Sequence, residues 1–127
     1  MRKEEHIFNY VVDQFADLQV LRYRVAGFDS LTLQQKKLVY YLSEAALQGR
    51  DILFDQNGKY NLQIRRLLET LYVHFTGDRT EEPFLALEVY LKRVWFSNGI
   101  HHHYGCDKFV PGFSAEYLKN LILHTDV

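Results

Sequence analysis

The sequence predicts a mainly α-helical chain of about five amphipathic helices packed on one core, and three observations predict it. Apolar residues recur at spacings of three and four along most of the 127 residues, the period that gathers them on one side of a helix. Residues that favour helix starts stand at Thr32, Thr80 and Ser114, each just ahead of such a run. The 2 Pro and 7 Gly fall between the runs or at their ends, where they delimit helices rather than break them.

Ile7, Phe8, Val11, Phe15 and Leu18, with Asp13, Gln14 and Asp17 between them, predict a first helix over about residues 4–18. Residues 20–25 alternate apolar side chains with Arg22 and Arg24, so they either extend that helix or form a short strand before Gly27. Thr32 and Gln35 have the spacing of a capping box, and Leu38, Tyr41, Leu42, Ala45 and Ala46 then mark one apolar face of a second helix. Gly49 interrupts it. Arg50-Asp51-Ile52-Leu53-Phe54 reads as buried again before the turn dipeptide Asn57-Gly58, so the helix kinks or restarts there. From Tyr60 onward, Ile64, Leu67, Leu68, Leu71, Tyr72 and Phe75 form a third stripe, closed by Gly77. Thr80 is the expected cap of a fourth helix. Glu81 and Glu82 stand at its positive end, Pro83 in its first turn, and Phe84, Leu87, Leu91, Val94 and Trp95 on one face. That helix should end near Asn98-Gly99. Residues 100–112, with Gly105, Pro111 and Gly112, form an irregular ordered loop. Ser114 caps a last helix whose Tyr117, Leu118, Leu121 and Ile122 point inward. No repeat or flexible linker divides the chain, which predicts a single helical domain over residues 1–127.

Fifteen Lys and Arg against sixteen Asp and Glu give a net charge of −1, without the basic field that nucleic-acid binding uses, so no nucleic-acid partner is expected. No run approaches the roughly 20 apolar residues that span a bilayer, and no membrane span is expected. The first residues lack the apolar core of a signal peptide. The chain therefore points to the cytoplasm, or to the periplasm if an export signal has been removed. Cys106 is the only cysteine and can form no internal disulfide. An aromatic content of 15% implies either a dense core or a surface meant to be covered.

Chemically, the densest stretch is His101, His102, His103, Tyr104, Cys106 and Asp107. In an extended segment His101 and His103 would project to the same side, but zinc needs three or four ligands and the spacing fits no zinc pattern. A hydrogen-bonded loop is the simpler reading. Cys106 near His103 suggests a thiolate pair only by proximity, and chance explains that proximity. The basic doublets Lys36-Lys37, Arg65-Arg66 and Lys92-Arg93 read as solvated helix faces. Arg50-Asp51 and Asp55-Gln56-Asn57 interrupt apolar residues, so partly buried charges there would need partners within the fold or in a missing neighbour, and a structural role is the expected one. No catalytic residue and no metal ligand are assigned in this chain, because neither a nucleotide loop, a Gly-x-Ser-x-Gly elbow nor a His-Glu-x-x-His helix is present.

Longer strings carry a resemblance. Phe15-Ala16-Asp17-Leu18-Gln19-Val20-Leu21-Arg22-Tyr23, the stretch from Tyr40-Tyr41-Leu42-Ser43-Glu44 through Gly49-Arg50-Asp51-Ile52 to Phe54-Asp55-Gln56-Asn57, and Tyr60-Asn61-Leu62 resemble, in order, the N-terminal region of bacterial dipeptidyl peptidase III. So do Tyr90-Leu91-Lys92-Arg93-Val94-Trp95-Phe96-Ser97-Asn98-Gly99-Ile100-His101-His102-His103-Tyr104 and Lys108-Phe109-Val110-Pro111-Gly112, so that the likeness covers nearly the whole chain. The resemblance implies a two-lobed zinc peptidase that removes dipeptides from the N-termini of short peptides, with this chain as the helical beginning of one lobe. The family's zinc motif, His-Glu with three residues before a second His, has no counterpart here, nor has its second motif with a further glutamate ligand and Arg-Ala-Glu. Zinc is thus expected in the parent enzyme and no cofactor in this chain, which should be inactive alone. Its expected partners are the rest of the peptidase polypeptide and, in the parent, a peptide substrate. Asn98, His101, His103, Tyr104 and Lys108 are the candidate residues for lining the cleft or touching the other lobe. The competing reading of that loop is that it only packs the fourth helix against the fifth. The alternative for the whole chain is a free-standing helical interaction module derived from such a peptidase.

Overall fold

A computed structural model describes residues 8–125, and the chain divides into two compact units, residues 1–42 and 43–127. In the first unit, β1 (Val11–Phe15) and β2 (Leu18–Leu21) pair antiparallel. Phe15 faces Leu18 and Val11 faces Leu21, with a bulge between Val11 and Asp13. This hairpin corrects the first predicted helix, of which residues 4–7 lie outside the described residues. The adjacent β-branched Val11 and Val12 favour extended backbone. Leu18-Gln19-Val20-Leu21 alternates half-buried with exposed positions, as a strand does. Ala16, at φ +49°, supplies the positive φ that a two-residue hairpin turn requires. Of the two possibilities for residues 20–25, the strand is realised, but only through Leu21. Arg22 closes the hairpin base: its backbone N–H donates to the Tyr10 carbonyl at 2.8 Å and its Nε to the Asn9 carbonyl at 2.7 Å.

A 3-10 turn, Phe28–Ser30, follows Gly27 at φ +82°, and α1 (Leu33–Gln48) begins after it. The capping box forms as predicted, the Gln35 N–H reaching Thr32 Oγ1 at 3.3 Å and the Thr32 N–H reaching Gln35 Oε1 at 2.9 Å. The inward face assigned to α1 is corrected. Leu38, Tyr41 and Leu42 are 58%, 67% and 60% exposed, and α1 buries none of its sixteen residues against the described chain. Val39, Tyr40 and Leu47 make its other sides apolar as well, so no one side is the preferred core face.

In the second unit the helices are α2 (Arg50–Gln56), α3 (Asn61–His74), α4 (Glu82–Ser97) and α5 (Ala115–His124). The chain restarts at Gly49 rather than kinking. Within α2 only Phe54 is buried, whereas Ile52 and Leu53, predicted inside, are exposed. The core joins Phe54, Leu68, Leu71, Phe84, Leu87, Leu91, Val94 and Leu121. In α4 the buried apolar residues stand at spacings of three and four, which turns one stripe wholly inward. Phe84 stacks on Phe75 at 4.5 Å and on Tyr72 at 5.8 Å between ring centroids.

Two boundaries and one inward position differ from expectation. Helix α3 ends at His74 with Phe75 extended, and Gly77 is required for space: a Cβ there would lie 2.5 Å from the Phe75 ring. The N-cap of α4 is Glu81, not Thr80. Thr80 is turned back on Asp78, whose carboxylate accepts from the Thr80 hydroxyl at 2.6 Å and N–H at 2.8 Å. Those bonds hold the Asp78 carboxyl below the usual carboxylate range. Ile122 in α5 is 43% exposed while Leu121 is buried. The remaining boundaries agree. Ser114 Oγ accepts from the Tyr117 N–H at 3.0 Å, and Asn98 ends α4 at φ +54° with the Gly99 N–H returning to the Val94 carbonyl at 3.1 Å, a left-handed helix stop. The fold is mainly helical with one small antiparallel sheet. Among the described residues no helix is long and apolar enough to cross a membrane.

Candidate functional site

The loop after α4 leaves the left-handed Asn98 and doubles back on itself. His101 and Lys108 form an antiparallel bridge. The Phe109 N–H donates to the Ile100 carbonyl at 2.9 Å and the His102 N–H to the Asp107 carbonyl at 2.9 Å. Inside that rung the Gly105 N–H donates to the His102 carbonyl at 3.0 Å, so the segment is a tight hairpin-like turn. Consequently His101 and His103 do not sit two residues apart on one extended strand. His103 instead stacks with His102 at 4.6 Å, lies tilted against Tyr104 at 4.1 Å, and meets the Phe96 ring edge-on at 5.3 Å. His102 Nδ1 accepts from the Tyr104 N–H at 3.2 Å, which leaves the ring proton of a neutral His102 on Nε2. His101 is half-buried, and Tyr104, at 88%, is among the most exposed side chains. The loop therefore brings His102, His103 and Tyr104 together, while Asn98, His101 and Lys108 frame its base.

Two asparagines, Asn57 read only as part of a turn and Asn61 given no role by the sequence, tie this loop to the end of α2 and the start of α3. Asn57, at the end of α2, donates from Nδ2 to the carbonyls of Ser97 at 3.2 Å and Asn98 at 3.3 Å. Asn61, 2% exposed, accepts the Ile100 N–H on Oδ1 at 3.2 Å. A Cβ on Gly99 would come within 2.3 Å of the Asn61 amide, and one on Gly58 within 2.9 Å, so the two glycines form the slot that the amide fills. The Asn57-Gly58 turn and the Asn98-Gly99 stop were readable as local signals. Their joining through Asn61 was not.

Beside the loop, an open cavity of about 600 Å³ is lined by residues of α2, α3 and α4. Asp51 bridges Arg65 Nη2 at 2.8 Å and Arg66 Nη2 at 2.7 Å, which supplies the partners that its position in an apolar run required. Hydrogen bonds from Arg66 and then Arg65 hold its carboxyl below the usual range. The Arg65 guanidinium lies 4.6 Å over the Phe54 ring and places Nε 3.3 Å from Glu69 Oε1. Glu69 Oε1 also accepts the Trp95 indole N–H at 2.7 Å. Arg65-Arg66, read as a solvated face, is thus half employed: Arg65 is the half-buried member of this network and Arg66 the exposed one.

Among the described residues no group of three or more His, Cys, Asp or Glu is placed to hold a metal ion. Cys106 is a free, exposed thiol. Neither the family models nor the curated proteins give a match to this chain.

Proposed function

We propose that this chain is a non-catalytic packing portion of a larger zinc-dependent peptidase of the dipeptidyl peptidase III type, with α1 enclosed by the rest of that polypeptide. The observation that carries the reading is α1. It has apolar residues on every side and buries none of its sixteen residues in the described chain. Exposure of apolar residues on this scale marks a surface that other protein covers. Pairing with a second copy about a two-fold axis would cover one side of α1 and leave the others wet, so enclosure by further polypeptide accounts for more of the surface. The strings shared with that family add the identity of the enclosing chain. Under this reading the turn of Asn98, His101, His103, Tyr104 and Lys108 faces the cleft or the opposite lobe, on a base that Asn57 and Asn61 make rigid.

The test has two parts. Reading the coding sequence past Val127 should reveal an in-frame His-Glu, three residues and His; a stop codon there would overturn the proposal in favour of a free-standing interaction module. The protein read to its natural stop should release dipeptides from a chromogenic dipeptidyl substrate, whereas the 127-residue chain should release none with or without added zinc. Zinc-dependent turnover by the short chain contradicts the assignment.

A further inference from the structure

The cavity between α2, α3 and the end of α4 has a charge balance that points to a ligand. Of the charges that line it, Arg65 and Glu69 form an ion pair at 3.3 Å, and Arg65 also pairs with Asp51, which lies outside the lining. Glu69 is engaged as well, its Oε1 accepting the Trp95 indole N–H at 2.7 Å with Arg65 Nε 3.3 Å away in an ion pair. Arg50 remains. It lines the same cavity, and its guanidinium has no ion pair or hydrogen bond among the described residues. Beside it Trp95 and Phe96 stay 41% and 39% exposed although both line a concave surface. A guanidinium without an ion pair, on a lining shared with two part-exposed aromatic rings, offers one bidentate anion contact and one flat apolar contact.

We infer that this cavity binds a monocarboxylate attached to an aromatic or large apolar group, the chemistry of a peptide's free carboxyl end beside an aromatic residue. Arg50 and Arg65 against Glu69 leave one net positive charge on the lining, which matches one carboxylate, whereas a phosphate dianion would leave a negative charge uncompensated beside Glu69. The Asn98 side chain, at the cavity edge, supplies an amide to a second carboxylate oxygen or to the adjoining peptide N–H. The inference stands on this cavity and does not depend on the peptidase assignment.

Trp95 is the only tryptophan of the chain, so its fluorescence reports the cavity directly. Titration of the 127-residue chain with N-acetyl-L-phenylalanine should give a saturable change in Trp95 emission within about 10 mM, the range of a single charge-assisted contact. The matching N-acetyl-L-phenylalanine amide should bind at least tenfold more weakly. Arg50→Gln should weaken the acid tenfold or more while leaving the urea midpoint unchanged, because Arg50 holds nothing in the fold. A tripeptide acid ending in phenylalanine should bind at least as tightly as the single residue. Absence of saturation, equal binding of acid and amide, or an unaffected Arg50→Gln variant would overturn the site. Loss of binding on lengthening to the tripeptide would overturn the peptide carboxyl end as its ligand.

Discussion

Helices α1 and α4 each have sixteen residues and both are rich in apolar side chains, yet they meet opposite fates. Helix α4 buries Phe84, Leu87, Leu91, Val94 and Ser97 and leaves Leu85 and Val89 outside, so one stripe does the packing. Helix α1 carries Leu38, Val39, Tyr40, Tyr41 and Leu42 in succession, which points apolar groups in every direction and concentrates them on none. The difference teaches that apolar content alone does not decide burial within a chain. Segregation onto one side lets a helix complete a core with its own neighbours, whereas a helix apolar all round needs protein on several sides.

Substitutions at matched leucines should expose this difference most sharply. Leu91→Ala, at a fully buried position, should cost about 3 kcal/mol through lost transfer energy and a residual cavity. Leu42→Ala, at a 60% exposed position, should change the stability of the isolated chain by less than about 0.5 kcal/mol. Urea denaturation of both variants checks the pair. Comparable losses would mean that α1 is packed within the chain after all.

The next effect concerns the site rather than the core. Asn61→Ala leaves the Ile100 N–H without its acceptor and empties the slot between Gly58 and Gly99, which should cost about 2 kcal/mol. It should also speed hydrogen exchange at the Ile100 amide more than at amides in the middle of α4. Uniform acceleration would show Asn61 to be a general core residue and not the tie of this loop.

A smaller contrast is electrostatic. Asp51 has its carboxyl held below the ordinary value by Arg66 and Arg65, so its contribution is present above the unfolded-state value, about 3.8, and is lost as pH falls through the lower folded-state value. The wild type should lose stability in that acid window more than Asp51→Asn does, as read from urea midpoints between about pH 5 and pH 2. Because Asp51 is exposed to solvent, added salt should shrink the difference.

The smallest effect lies in the hairpin. Ala16 sits at φ +49°, where a Cβ is disfavoured, and Ala16→Gly should stabilise the β1–β2 turn by up to about 1 kcal/mol. Slower hydrogen exchange of the strand amides around it is the readout, and no change would place the hairpin's register under the control of its side-chain pairs.

How much of this could be read in the sequence follows from the range of the forces involved. The starts of α1 and α5 are set by Thr32 with Gln35 and by Ser114, contacts within three residues, and those were legible. So was the stop at Asn98-Gly99 and the inner stripe of α4, except for Trp95, which was read on that face and is 41% exposed. The hairpin was not, because residues 7–18 satisfy a helical period while Val11, Val12 and a turn at Ala16 favour strands. Exposure of α1 was illegible since its Leu38, Tyr41 and Leu42 look like any core stripe until their neighbours in space are known. The site suffered in the same way. The loop of residues 98–108 stood out by composition, but the bonds that hold it join Asn57 and Asn61 to backbone 39 to 41 residues away.

The enclosure of α1 is tested most directly by thiol labelling at position 42. Leu42→Cys in a Cys106→Ser background should react in the 127-residue chain at nearly the rate of a free thiol. In the protein read to its natural stop codon the account predicts labelling at least a hundredfold slower, with α1 inside. Equal rates in the two proteins would leave α1 on the surface of both and contradict it.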